Sequence, residues 1–411
     1  MLARLHHRAG APAARLAARL YAYTFSQELI LLYPFYAILF ADTGLSVAQI
    51  SALFMIWSLA SVVFEIPSGV LADAVSRRLL LVAAPVLSGA AFGLWVFAPS
   101  YPIFALGFVL WGAGGALQSG AMEALVYEEL DRLNAAHRYA RVIGRAHAAS
   151  TIALVLAMAL AGPVFALGGY EVVGVASMLA CLAAAGIAAG FPENHVSRDA
   201  DLPGGFRSFG HVLRAGVTEV RSSRRVWTAA AFLVVISAIW GALDEYVALL
   251  AADTGVATER LPLLILTVYA GVAAGGLLGG VARRLRRRVS AVVLALASVA
   301  LAAGALLGHP VGFGLIGLAF CVFQMTEIAA DARLQHAIEG SSRSTVTSLA
   351  GFGTEIATIG VYALYATGSV VAGHGVIFAV WAAVYALIAL AMSRPVRSDP
   401  GSGSRPRSRS R

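Results

Sequence analysis

Six carboxylates sit where carboxylates are expensive. Glu28, Glu123, Glu327 and Glu355 fall inside long apolar runs, and Asp244 with Glu245 falls toward the end of another. An acidic side chain near the centre of a bilayer costs roughly 2.5–3.5 kcal/mol on insertion scales, so each marks a functional position by default. No arginine occupies the middle of any such run, and the chain contains no lysine at all. A carboxyl held away from water without a counter-charge tends to keep its proton near neutral pH. It can then carry that proton when its access changes, or attract a cation. Glu28, Glu123, Glu327 and Glu355 are therefore candidates for proton coupling or substrate contact, and Asp244 with Glu245 forms an outer candidate site. Glu65, Glu128, Glu129 and Asp131 read differently, as edge residues that pair with Arg77, Arg138, Arg141 or Arg145.

Aromatic residues accompany these acids. Tyr33, Trp240 and Phe323 are the candidates to line a pocket for a flat apolar cation, within a wider group that includes Tyr36, Trp57, Trp111 and Tyr246. Membrane aromatics more often anchor interfaces or pack lobes, so this reading competes with a structural one.

What must position these groups is a membrane architecture. The chain has 411 residues, 59% hydrophobic and 13% charged, against about a quarter charged in ordinary soluble domains. Twelve apolar runs are long enough to cross a hydrocarbon core about 30 Å thick. They fall at 18–41, 47–70, 78–98, 103–128, 141–166, 171–191, 227–251, 261–281, 289–307, 311–334, 345–368 and 373–393. Only helices can do this, because each segment must satisfy its own backbone in lipid. The expected class is an all-α membrane protein of two pseudo-symmetric six-helix bundles.

The arginines test the topology. Arg77 with Arg78, the groups at 132–145, 207–225 and 282–288, Arg333 with Arg343, and the tail all fall on one side. The opposite loops carry only Arg260. The positive-inside rule then places both termini in the cytoplasm of a multi-pass cell-membrane protein. The organisation that follows is a cytoplasmic segment at 1–17, a six-helix bundle at 18–191, a linker with an amphipathic helix at 192–226, a second bundle at 227–393 and a basic disordered tail at 394–411. The run from Leu20 to Phe40 is too long for a signal core and contains Glu28, so it reads as a retained first helix.

Several chemistries have no support. The arginines do not form a nucleic-acid face interleaved with aromatics. Cys181 and Cys321 lack metal-ligand spacing. Neither a nucleotide-binding loop nor a clustered hydrolytic site is present, so no metal, cofactor or enzyme activity is expected.

Residues 67–81 read PSGVLADAVSRRLLL, a polar turn between spans two and three. Gly69, Leu71, Ala72, Asp73, Arg77 and Arg78 match the pattern G-x-L-A-D-x-x-G-R-[RK], with Ser76 where a glycine is usual. With the twelve-span plan, the sequence resembles the major facilitator superfamily over nearly its whole length. The resemblance implies that spans one, four, seven and ten line a central cavity. It also implies that Gly69, Asp73, Arg77 and Arg78 form a conformational latch against the span opening near Arg343. Gly162-Pro163 followed by Gly168-Gly169 resembles the antiporter motif of drug:proton exchangers, with four residues between the pairs instead of two. Pro163 by itself accounts for a helix kink there. FEIPSG and SGAMEALVYEEL resemble a drug-exporter-like branch. Together these imply a monomeric secondary transporter in the lipid bilayer, with export of small amphipathic or cationic molecules driven by a proton gradient. Proton-linked uptake of a small metabolite is the alternative, ahead of a receptor or a membrane enzyme.

Overall fold

The computed structural model describes residues 2–192, 223–338 and 343–394, with side chains described outside 2–11, 66–67, 69–74 and 344. Its regular structure is helical throughout. The first lobe runs through α1 (Leu2–Glu28), α2 (Tyr36–Asp42), α3 (Val47–Ala74), α4 (Arg77–Phe97), α5 (Tyr101–Gln118), α6 (Ala121–Arg132) and α7 (Tyr139–Ala189). The second runs through α8 (Arg224–Asp244), α9 (Val247–Ala252), α10 (Leu261–Ala282), α11 (Arg287–Leu306), α12 (Gly312–Ala337), α13 (Arg343–Gly368) and α14 (His374–Ser393).

Ten helical stretches among the described residues are long and apolar enough to cross a membrane. Helix α7 holds two of the expected spans, because the chain reverses at Gly168-Gly169, and Gly169 takes φ +63° and ψ −148°. An L side chain is strained in that conformation, and glycine is not. Helices α1 and α2 supply a further crossing, so the helices accommodate twelve spans. The expected linker at 192–226 and tail at 394–411 lie almost wholly outside the described residues. The segment at 1–17 is continuous with span one, since α1 already begins at Leu2.

Spans one, four and seven are not the continuous helices that hydropathy suggested. Span one stops at Glu28 and resumes at Tyr36. Pro34 lies in this gap, where it donates no backbone hydrogen bond and its ring clashes with a preceding carbonyl in a helix. Span four is interrupted at Ser119-Gly120, with Gly120 at φ +72°. Span seven is interrupted at Glu245-Tyr246. Irregular backbone at membrane depth persists only where protein buries it or a cavity wets it. In span one the Leu32 amide donates to Ser177 Oγ at 3.0 Å, and that hydroxyl donates to the Val173 carbonyl at 2.7 Å.

Within lipid, helices associate by close packing more than by hydrophobic burial. Gly271, Gly275 and Gly279 share one face of α10 against α12. A Cβ on Gly275 would come within 2.2 Å of the Cys321 carbonyl oxygen, and one on Gly271 within 2.0 Å of the Gly317 oxygen. The turn before α4 is ordered by its own chemistry. Ser76, where a glycine is usual, is the N-cap of α4 and accepts from the Leu79 amide at 3.3 Å. Arg77 forms an ion pair with Glu128 of α6, inside one lobe.

Candidate functional site

The two lobes close against each other toward the arginine-poor end. Tyr36 of α2 donates to Glu245 Oε2, and Tyr246 donates to Ser51 Oγ at 2.7 Å. Nearer mid-depth, Ser58 of α3 donates to Glu355 of α13. Phe54 packs edge-on against Tyr246 with ring centroids 5.4 Å apart. Gly162 of α7 meets the other lobe so closely that a Cβ there would stand 2.1 Å from the Glu259 carbonyl oxygen.

Beneath this closure lies a cavity of about 220 Å³ shared by both lobes. Glu28, Asp244 and Glu245 line it together with Tyr33, Trp57 and Trp111, and its lining contains no basic side chain. Glu28 is the last residue of α1 and Asp244 the last residue of α8, so both half-helices end on a carboxylate at the cavity wall. A helix C-terminus carries partial negative charge and free carbonyls, which adds to the attraction for a cation. Tyr269 donates to Asp244 Oδ2 at 2.8 Å, while the buried Oδ1 of Asp244 has no hydrogen-bond partner among the described residues. In the same lining Trp57 and Trp111 stack at 4.7 Å and 10°, and Tyr33 stacks on Trp111 at 5.7 Å and 24°. An aromatic stack sharing a cavity with carboxylates suits a cation with a flat apolar body.

The other expected residues fall elsewhere. Glu327 accepts from Ser237 Oγ at 2.8 Å and from Trp240 Nε1 at 3.0 Å, inside the second lobe. Glu355 joins the lobes through Ser58. Glu123 is exposed in the first turn of α6, beyond the interruption of span four. Phe323 is fully buried and stacked on Tyr385 at 4.0 Å, in the core and not on the cavity. Pro163 lies within α7, whose non-helical backbone is at Gly168-Gly169. Gly69 and Asp73 belong to α3, and their side chains are outside the described residues. Sequence reasoning passed over Tyr269 and Ser177. A tyrosine and a serine isolated in apolar runs give no signal until a partner is known.

The Major Facilitator Superfamily model matches residues 22–361. The chain belongs to that superfamily. Solved transporter structures share the fold. A variant of the nucleoside transporter NupG superposes with TM-score 0.74 at 14% identity, covering 92% of this chain and 100% of its own. A bacterial homologue of the human lysosomal transporter Spinster, inward-facing and unoccupied, gives 0.65 at 15% identity over 95% and 99%. A D-xylose–proton symporter gives 0.65 at 14% identity over 92% and 96%. No curated protein matches the sequence. As a member of a transporter superfamily this chain is a multi-pass membrane transporter.

Proposed function

We propose that this facilitator works by alternating access and exports small amphipathic cations in exchange for protons. The supporting observation is the cavity itself, where Glu28, Asp244 and Glu245 from both lobes share a lining with a tryptophan stack and no basic residue joins it. An organic anion would need a basic side chain as its counter-charge there, and the lining has none. Exchange follows from competition, since a carboxyl that releases its proton becomes the counter-charge for the incoming cation. Glu355 and Glu327 are proposed as secondary coupling sites, Glu355 because its bond to Ser58 must break when the lobes rock apart. The export direction rests on the drug-exporter-like sequence of spans two and four. Arginine sidedness supports cytoplasmic termini in a cell membrane. The protein is proposed to act as a monomer.

Proteoliposomes under an imposed pH gradient, loaded with aromatic cationic dyes, test this. Glu28→Gln and Glu245→Gln should each lower gradient-driven flux by about tenfold or more, the scale of losing one charged hydrogen-bond partner. Glu123→Gln, off the cavity, should transport near the normal rate. Unchanged flux in both cavity variants would remove these acids from the coupling mechanism. Gradient-driven entry of a neutral metabolite, with no dye movement, would replace export by uptake.

A further inference from the structure

A second cavity opens at the arginine-rich end of the second lobe. It measures about 620 Å³ and is rimmed by Arg225, Arg287, Arg333 and His336 over a floor that includes Phe232 and Met392. Its lining contains no carboxylate. The same place in the first lobe, between the matching ends of spans one, three, four and six, is filled. There Leu16, Leu20, Tyr23, Leu81, Leu125 and Phe191 form one buried cluster. Tyr23 packs edge-on against Phe191 at 5.7 Å and donates to the Leu81 carbonyl at 3.2 Å. Two halves of one repeat thus treat one position oppositely, one with an apolar plug and the other with an arginine-rimmed hollow.

We infer that this hollow binds the headgroup of an anionic phospholipid, with the phosphodiester among Arg225, Arg287 and Arg333 and the upper acyl chain against Phe232 and Met392. The depth is right. Arg225 and Arg287 lie in the first turns of α8 and α11, whose N-termini add positive potential. Trp227, exposed in the same turn of α8, is the residue type that settles at headgroup level. The positive-inside rule assigns this end to the cytoplasmic leaflet, where anionic lipids attract basic pockets between helices. Arginine forks match phosphate oxygens in pairs, and the apolar floor separates a lipid from a free phosphate. This site is independent of what the central cavity carries.

Thermal unfolding of the full chain in detergent, titrated with phosphatidylglycerol, phosphatidylcholine or inorganic phosphate, tests the assignment. Phosphatidylglycerol should raise the midpoint saturably, and the other two should not. With each arginine making a direct hydrogen bond to the charged phosphate, Arg287→Gln with Arg333→Gln should weaken the apparent affinity by about a hundredfold or more. Arg284→Gln with Arg286→Gln removes equal charge from the same region, but neither residue lines the hollow, so the loss should be less than about threefold. Equal weakening by both pairs would reduce the effect to general surface charge. An equal response to phosphatidylcholine, or to inorganic phosphate at matched concentration, would overturn a lipid headgroup site. Native mass spectrometry of the unmodified protein gives a readout that needs no variant. Retention of phosphatidylglycerol over phosphatidylcholine from an equal mixture supports the site, and equal retention refutes it.

Discussion

Leu32 carries an amide that no helix satisfies, and Ser177 stands opposite it at 3.0 Å. This single hydroxyl lets span one come apart inside a membrane, because a buried donor without a partner costs about 1–3 kcal/mol. Ser177→Ala should therefore lower the unfolding midpoint in detergent and speed hydrogen exchange around residues 29–35, while spans nine to twelve keep their protection. Uniform exchange across the protein would show that the break does not depend on Ser177. The same scale explains which acids were readable. Glu28, Asp244 and Glu245 stood out because charge in an apolar run needs a reason, and the fold gave them one cavity. Glu123 carried an equal sequence signal yet is exposed in α6, since Gly120 redirects the chain just before it. Hydropathy registers an acid's depth in a run, but a glycine at positive φ changes what that depth means.

At the scale of elements, the breaks in spans one and seven hold corresponding places in the two halves and end both inner helices on a carboxylate. Pro34 lies in the first, although the run at 18–41 read as one continuous span. The second has no proline, and its acid pair was legible only as polarity. Helix packing was legible in part as well. GVAAGGLLGG in span eight has glycines at several registers, and the sequence alone does not say which of them face a neighbour. The structure separates them, since a Cβ on Gly275 meets the Cys321 carbonyl oxygen at 2.2 Å whereas one on Gly276 meets nothing within 4 Å. Gly275→Leu should destabilise the second lobe by about 1–3 kcal/mol or more through overpacking. Gly276→Leu, one residue on and pointing away, should be near neutral. Equal midpoints for the two variants in detergent would mean that α10 and α12 are not held by this face.

For the whole molecule, the closure at the arginine-poor end is built from contacts between the lobes. Tyr36→Phe removes one bond of that closure and leaves every charge in place. A hydrogen bond between membrane helices is worth about 0.6 kcal/mol on average and up to about 1.7. Opening toward that end should rise about three- to twentyfold on those energies. A cysteine introduced at Ala248, in a background without Cys181 and Cys321, should then react faster with a water-soluble thiol reagent from that side. An unchanged rate would exclude Tyr36 from the gate. The opposite end carries the proposed latch. Asp73→Asn should slow turnover and leave substrate affinity within a few-fold, whereas normal turnover would reduce residues 67–81 to a topology signal. Arg77 is already engaged with Glu128 of its own lobe, so its loss should affect folding more than switching.

The amino-acid order by itself determined the solvent this protein folds in, its helical class and the division into two repeated halves. Those properties follow from the free energy of moving segments about 20 residues long between water and lipid, and that energy depends on composition and length alone. Tertiary structure decided which carboxylates meet. Glu28 and the pair Asp244-Glu245 are more than two hundred positions apart in the sequence, and they share a cavity only because the lobes close at Tyr36 and Tyr246. It also decided that one repeat plugs a hollow with Tyr23 and Phe191 while the other rims it with arginines. Both outcomes depend on backbone breaks and helix approach distances, which are set by contacts between segments and leave no periodic trace within any one of them.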